Sequence, residues 1–198
     1  LIDPRGNAQD ICETFVNSCV LNYRFRDAIK IIELWQADFT NDPLPHYYLG
    51  RILEHQGDWE NSAREFSAAL EVSPAHIPSA YNLARVKLSH NQVDAALENY
   101  RLCTKYQKEH AAALVGIARC LRMKQDANAA RAALKTAQQV PELQRLKDFR
   151  AVGDPAYVAS NAILLELGQL ELTSGNYKQA VAYLEEALER NPKDRKSV

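Results

Sequence analysis

Three arginines, Arg51, Arg85 and Arg119, stand 34 residues apart, and four residues before them lie Tyr47, Tyr81 and Val115. Asn17 and Gln169 occupy the matching places toward the two ends. Asn82 sits beside Tyr81, and Arg122 follows Arg119 by three. Residues three or four apart share one helix face, so each group forms one side-chain cluster wherever the chain is helical. Guanidinium forks pair bidentately with carboxylates, and tyrosine supplies a stiff apolar plate with one polar tip. A row of such clusters suits an acidic, extended peptide, or a helix laid in a groove. The plainer alternative is that arginine is a good helix former on a solvated face, with Tyr47 and Tyr81 as padding.

Catalysis finds no comparable footing. There is no G-x-S-x-G, no phosphate-binding glycine loop and no G-x-G-x-x-G. The cysteines Cys12, Cys19, Cys103 and Cys120 form no C-x-x-C pair, and the five histidines show no metal-ligand spacing. We read them as four buried, inert thiols and scattered surface histidines. Acidic pairs such as Glu185-Glu186 fall on solvated helix faces. The expectation is a protein that is not an enzyme and needs no cofactor or metal.

Bulk properties narrow the class further. In 198 residues, 24 Lys and Arg balance 25 Asp and Glu, for a formal net charge of -1. That balance carries no electrostatic footprint for nucleic acid. No apolar run is long enough for membrane insertion. Unpaired cysteines point to a cytoplasmic location. The chain opens on Leu1 rather than Met, as a processed or cut piece would, which leaves a periplasmic or secreted location open.

The elements that must position the arginines follow from a repeat. The small residues Ala28, Ser62, Ala96 and Ala130 recur every 34 residues, and Ala180 follows 50 later. Phe15, Leu49, Leu83, Ile117 and Leu167 form an apolar column in the same register, beside the small column Val16, Gly50, Ala84, Ala118 and Gly168. Ile32, Phe66, Tyr100, Leu134 and Leu184 form a large apolar column. Small residues let two helices of a hairpin approach, and the large ones fill the space between neighbouring hairpins. Gly57, Asn91 and Gly175 fall where a first helix must stop, and both residue types tolerate the left-handed backbone that ends helices. Pro74 and Pro192 stop the second helix.

Leu49-Gly50, Gly57-Asp58-Trp59, Phe66, Ala69-Leu70 and Pro74 resemble the tetratricopeptide-repeat (TPR) consensus, as do Leu167-Gly168, Gly175-Asn176-Tyr177, Ala180, Ala187-Leu188 and Pro192. The resemblance implies an all-α, right-handed superhelical solenoid of about five helical hairpins, with repeats at 9–42, 43–76, 77–110, 111–144 and 161–194. A leader occupies 1–8, an insertion 145–160 and a tail 195–198. The first and fourth repeats are divergent, with Tyr23 and Gln125 in the turn, and Lys87 and Glu171 hold a position that is usually apolar. Asp154-Pro155 reads as a helix cap followed by a first-turn proline, which starts the fifth repeat's first helix at about 155 and runs it to about 173. The rest of the insertion is either a functional loop or a plain spacer.

The resemblance also implies that the first helix of each repeat lines a concave face, which would collect Tyr47, Arg51, Tyr81, Asn82, Arg85, Arg119 and Arg122 as a peptide-binding row. The family's carboxylate clamp is matched by Asn82 alone, since Tyr47, Arg51, Ala112 and Gly116 stand at its other positions. An asparagine ladder is broken at Thr14, Tyr48, Gly116 and Glu166. We therefore expect an interaction scaffold with a protein or peptide partner. The alternative is a structural, self-assembling piece of a larger multidomain protein. The apolar stripe through Ala180, Val181, Leu184, Ala187 and Leu188 favours the latter, because stacked repeats need a polar end: either the chain continues or another copy packs there, head to tail or across a two-fold axis.

Overall fold

The structure, a computed structural model, describes residues 4–141 and 155–190. Among them are ten helices: α1 (Pro4–Leu21), α2 (Phe25–Asp38), α3 (Leu44–His55), α4 (Trp59–Val72), α5 (Ile77–Ser89), α6 (Val93–Tyr106), α7 (Ala111–Met123), α8 (Ala127–Gln138), α9 (Pro155–Thr173) and α10 (Tyr177–Arg190). No described helix is long and apolar enough to cross a membrane. The chain divides into two units, Leu1–His90 and Asn91–Val198. In the first, α1 pairs with α2 and α3 with α4, while α3 packs on α2 and α5 on α4. In the second, α7 pairs with α8 and α9 with α10, while α7 packs on α6 and α9 on α7 and α8.

The first helices end where expected, for the expected physical reason, whereas Pro192, expected to stop the last helix, lies outside the described residues. Gly57, Asn91 and Gly175 all take positive φ, and so do Tyr23 and Gln125 at the same place in the two divergent repeats. The turn geometry is thus kept even where a side chain makes it unfavourable. Asp58 and Asp126 cap α4 and α8 by accepting from the backbone N–H of Asn61 and Ala129. Helix α9 begins at Pro155 and ends at Thr173, as the sequence predicts; Asp154 and the rest of the insertion up to it lie outside the described residues. Helix α1 begins at Pro4, so the predicted leader 1–8 is already helical from its fourth residue. The tail 195–198 lies outside the described residues.

Close approach within hairpins rests on the small column. A Cβ on Gly50 would lie 2.8 Å from the Phe66 ring, and one on Gly168 would lie 2.7 Å from Leu184. Ser62, fully buried, satisfies its hydroxyl by donating to the Gly50 carbonyl at 2.9 Å. Between hairpins, Phe66 clusters with Leu83 and Val86 of the next repeat. Tyr100 fills the space over Gly116, where a Cβ would come within 2.5 Å of the ring. The thiol reading needs one correction: Cys19, Cys103 and Cys120 are buried, but Cys12 is only half-buried. The histidines are not all superficial either. His46 pairs with Glu65 at 2.8 Å, and His76 is half-buried against the Tyr47 ring with Nδ1 2.8 Å from Ser79 Oγ. Burial lowers the His76 pKa.

Candidate functional site

The first-helix residues of the first unit lie on α1, α3 and α5. Tyr47 is half-buried, its ring 5.3 Å from His76, 5.2 Å from Tyr48 and 6.1 Å from Phe66. It is therefore part of the packing as well as a wall. The Arg51 guanidinium lies 5.8 Å from the ring centroids of both Tyr47 and Tyr48, a distance at which the ring quadrupoles attract a cation. Among the described residues no carboxylate forms an ion pair with Arg51. Tyr48 itself donates to Glu13 of α1 at 3.0 Å, and burial first, then that bond, raises its phenol pKa above the ordinary value. Arg85 pairs with Glu54 of α3 and donates to Asn82 Oδ1 at 3.2 Å, while Asn82 Nδ2 donates to the Pro78 carbonyl at 3.0 Å. Tyr81 is half-buried on α5. An open depression of about 560 Å³ runs along α1, lined by Asp10, Glu13, Thr14, Asn17, Ser18 and Leu21, and ends at Asn22.

In the second unit the same arginine column is used differently. Arg119 Nε donates to Glu166 Oε1 at 2.6 Å, and Arg122 Nε to Glu166 Oε2 at 3.2 Å. Arg122 also donates to Gln169 at 2.8 Å. Glu166 is 2% exposed, and its charge is held by one bond from each of two guanidiniums, tying α9 to α7. Below it, Glu171 accepts from Arg131 of α8 at 2.7 and 3.0 Å and from Asn176 at 2.6 Å. The bond from Asn176 first, then Arg131, holds its carboxyl below the ordinary range. Sequence reasoning had marked Glu166 only as a break in an asparagine ladder. The usable signal was an acid at that place one repeat after Arg119 and Arg122.

Burial pushes the Cys103 and Cys120 thiols up to about 11, so neither is a thiolate at neutral pH. Among the described residues, no three of His, Cys, Asp or Glu are placed to hold a metal ion.

Two sequence models described as tetratricopeptide repeat match, over residues 81–143 and 161–197, together about half of the chain. No curated protein matches it in sequence. Among solved structures, MamA from Desulfovibrio magneticus RS-1 is similar with a TM-score of 0.73 at 17% identity, covering 94% of this chain and 96% of that one. A thermophilic TPR protein from Thermus thermophilus is similar with a TM-score of 0.64 at 17% identity, covering 96% and 94%. A tetratricopeptide repeat protein from Parabacteroides merdae is similar at 0.68 and 17%, covering 95% and 68%. At these identities the likeness establishes the fold.

Proposed function

This chain belongs to the tetratricopeptide-repeat family, and from that premise we propose that it is a non-catalytic protein-interaction scaffold whose first unit holds an acidic, extended segment of a partner protein along α3 and α5. The reading is carried by Arg51. It is half-buried, backed by two tyrosine rings and without a carboxylate among the described residues, so a ligand carboxylate would complete its hydrogen bonding. Tyr47 and Tyr81 give that ligand apolar walls, and Asn82 and Arg85 supply further donors beside it. Arg119 and Arg122 are already engaged by Glu166 and serve the packing of the second unit.

The test is an array of short synthetic peptides graded in Glu and Asp content. The chain should retain the acidic members, more weakly as salt is raised. Arg51→Ala should lose about tenfold or more in affinity, the scale of a binding hot spot, while Arg119→Ala should bind like the parent. Equal retention by Arg51→Ala, or no preference for acidic peptides, sinks the reading.

A second reading, assembly of this chain with itself, is favoured by the apolar side chains that α10 leaves in solvent: Tyr177, Val181 and Leu188.

A further inference from the structure

The fold makes one kind of joint again and again: the second helix of a repeat seats on the first helix of the next. Two such joints lie in each unit, α2 on α3 and α4 on α5 in the first, α6 on α7 and α8 on α9 in the second. On the receiving helix the same places are always covered. Pro45, Ser79, Ala113 and Ile163 are equivalent in the repeat register, and all are buried. Leu83, Ile117 and Leu167 are buried at a second place, and Ile52, Val86, Cys120 and Leu170 at a third. A large side chain from the preceding repeat enters there: Trp35 beside Tyr48, Phe66 against Leu83 and Val86, Tyr100 over Gly116.

On α1 these same places are open. Ile11 is 50% exposed, Phe15 is 60% exposed and Ser18 is exposed. Thr14, equivalent to Tyr48 and Gly116, lines the hollow along α1 together with Ser18 and Asn22. Among the described residues, this is the receiving half of the joint with nothing seated in it. The donating half is open on α10. Ala180 and Ala187 are buried, and Leu184 closes over Gly168. Val181 is 51% exposed, whereas its equivalents Ala63 and Leu97 are buried and Arg131 reaches across to Glu171. Tyr177 and Leu188 extend the same stripe.

We infer that these two faces are the separated halves of one joint, and that a second copy of this chain seats its α10 stripe on the α1 face of the first, head to tail. The inference rests on the self-assembly reading above and is independent of the acidic-segment reading. The charges agree with it. Where an interior joint carries Lys124 against Asp94, the register sets Lys178 opposite the neutral Asn22. Where another carries Arg131 against Glu171, it sets Val181 opposite Cys19. At these two places no like charges meet, and the ionic pairs of the interior are replaced by apolar or neutral ones. Such a contact is heterologous: each copy keeps one half free, so association continues until a ring closes or a filament grows.

Sedimentation equilibrium over a concentration series tests this with Phe15→Glu and Val181→Glu, both at exposed sites, after circular dichroism shows unchanged helicity. If either loses helicity, Ile11→Lys or Leu188→Glu replaces it. The parent chain should rise from its monomer mass of 22.3 kDa toward several chains. Each variant alone should remain a monomer. An equimolar mixture should form a species of two chains and no larger, because each variant keeps the half that the other lacks. A parent chain that stays monomeric at every concentration overturns both the joint and the self-assembly reading. If Phe15→Glu alone still dimerises, head-to-tail docking is wrong, and the contact is two-fold through α10. If the parent associates but the mixture stays monomeric, these faces are not the contact.

Discussion

The two units solve the same packing problem with different chemistry. In the first, hairpins are joined by aromatic bulk: Trp35, Tyr47, Tyr48 and Phe66 fill the space between helices, and the buried acid, Asp42, is consumed locally by Trp35 Nε1 and Gln9 at 2.9 Å and by the Leu44 N–H at 3.0 Å. In the second, Tyr100 packs over Gly116 between α6 and α7, but α9 is tied to α7 and α8 by two buried carboxylates, Glu166 and Glu171. The consequence reaches the arginine column. Where aromatics hold the joint, Arg51 lies against two tyrosine rings with no carboxylate paired to it among the described residues, while Arg85 pairs with Glu54. Where carboxylates hold it, Arg119 of the same column is paired with Glu166.

The most damaging way to break the comparison is Phe66→Ala. Phe66 is fully buried between α3, α4 and α5, and truncation of such a ring costs about 3–5 kcal/mol. Denaturant titration followed by hydrogen exchange should show the loss in α3–α5, insensitive to salt. A loss below about 1 kcal/mol would mean that the first unit does not depend on aromatic bulk.

Next in size is Glu171→Gln, which weakens the ionic tie of the second unit by about 1–2 kcal/mol, since one side of the pair, Arg131, is partly solvated. The folded pKa of Glu171 lies below 4.5, so its contribution is complete above pH 4.5 and is lost as pH falls below it through the folded value. The first unit has a different acid limb. His76 is held below 6.5 by burial, so the unfolded state takes up its proton first, and stability declines as pH falls from 6.5 toward the folded pKa. Protection in α3–α5, corrected for the intrinsic exchange rate at each pH, should therefore decline at a higher pH than protection in α8–α10, and Glu171→Gln should flatten only the second limb. Coincident limbs would erase the distinction.

These differences also mark what sequence could and could not deliver. The 34-residue register was legible because short turns hold two amphipathic helices to a fixed length, and Gly57, Gly175 and Pro155 announce their ends. The start of α9 followed from Pro155 for the same local reason. The roles of Glu166 and Gly116 were not legible, because each is defined by a residue in the preceding repeat. Glu166 meets Arg119 only after the chain has crossed the insertion, and Gly116 matters because Tyr100 lies over it. Of the seven candidate site residues, Tyr47 with Arg51 and Asn82 with Arg85 come together within the first unit, whereas Arg119 and Arg122 meet on Glu166.

The smallest effect is the most discriminating. Tyr23 and Gln125 occupy the same turn position with φ of 58° and 64°, where a non-glycine residue is strained by about 1–2 kcal/mol. Part of any relief from glycine is offset by the freedom that glycine adds to the unfolded chain, about 0.4–1 kcal/mol. Gln125 is exposed, and among the described residues its side chain has no hydrogen-bond or ring partner, so Gln125→Gly should stabilise the second unit by about 0.5–1 kcal/mol. Tyr23 is also exposed, but its ring meets Phe25 edge-on at 6.0 Å and His55 at 6.1 Å. Tyr23→Gly relieves the same strain and forfeits those contacts, each about 0.5–1.5 kcal/mol, so its net effect should be near zero or destabilising. Denaturation midpoints of the two variants measure the difference directly. Equal gains from both would show that the aromatic edge at Tyr23 contributes nothing, and that the first unit's reliance on aromatic contacts stops at its core.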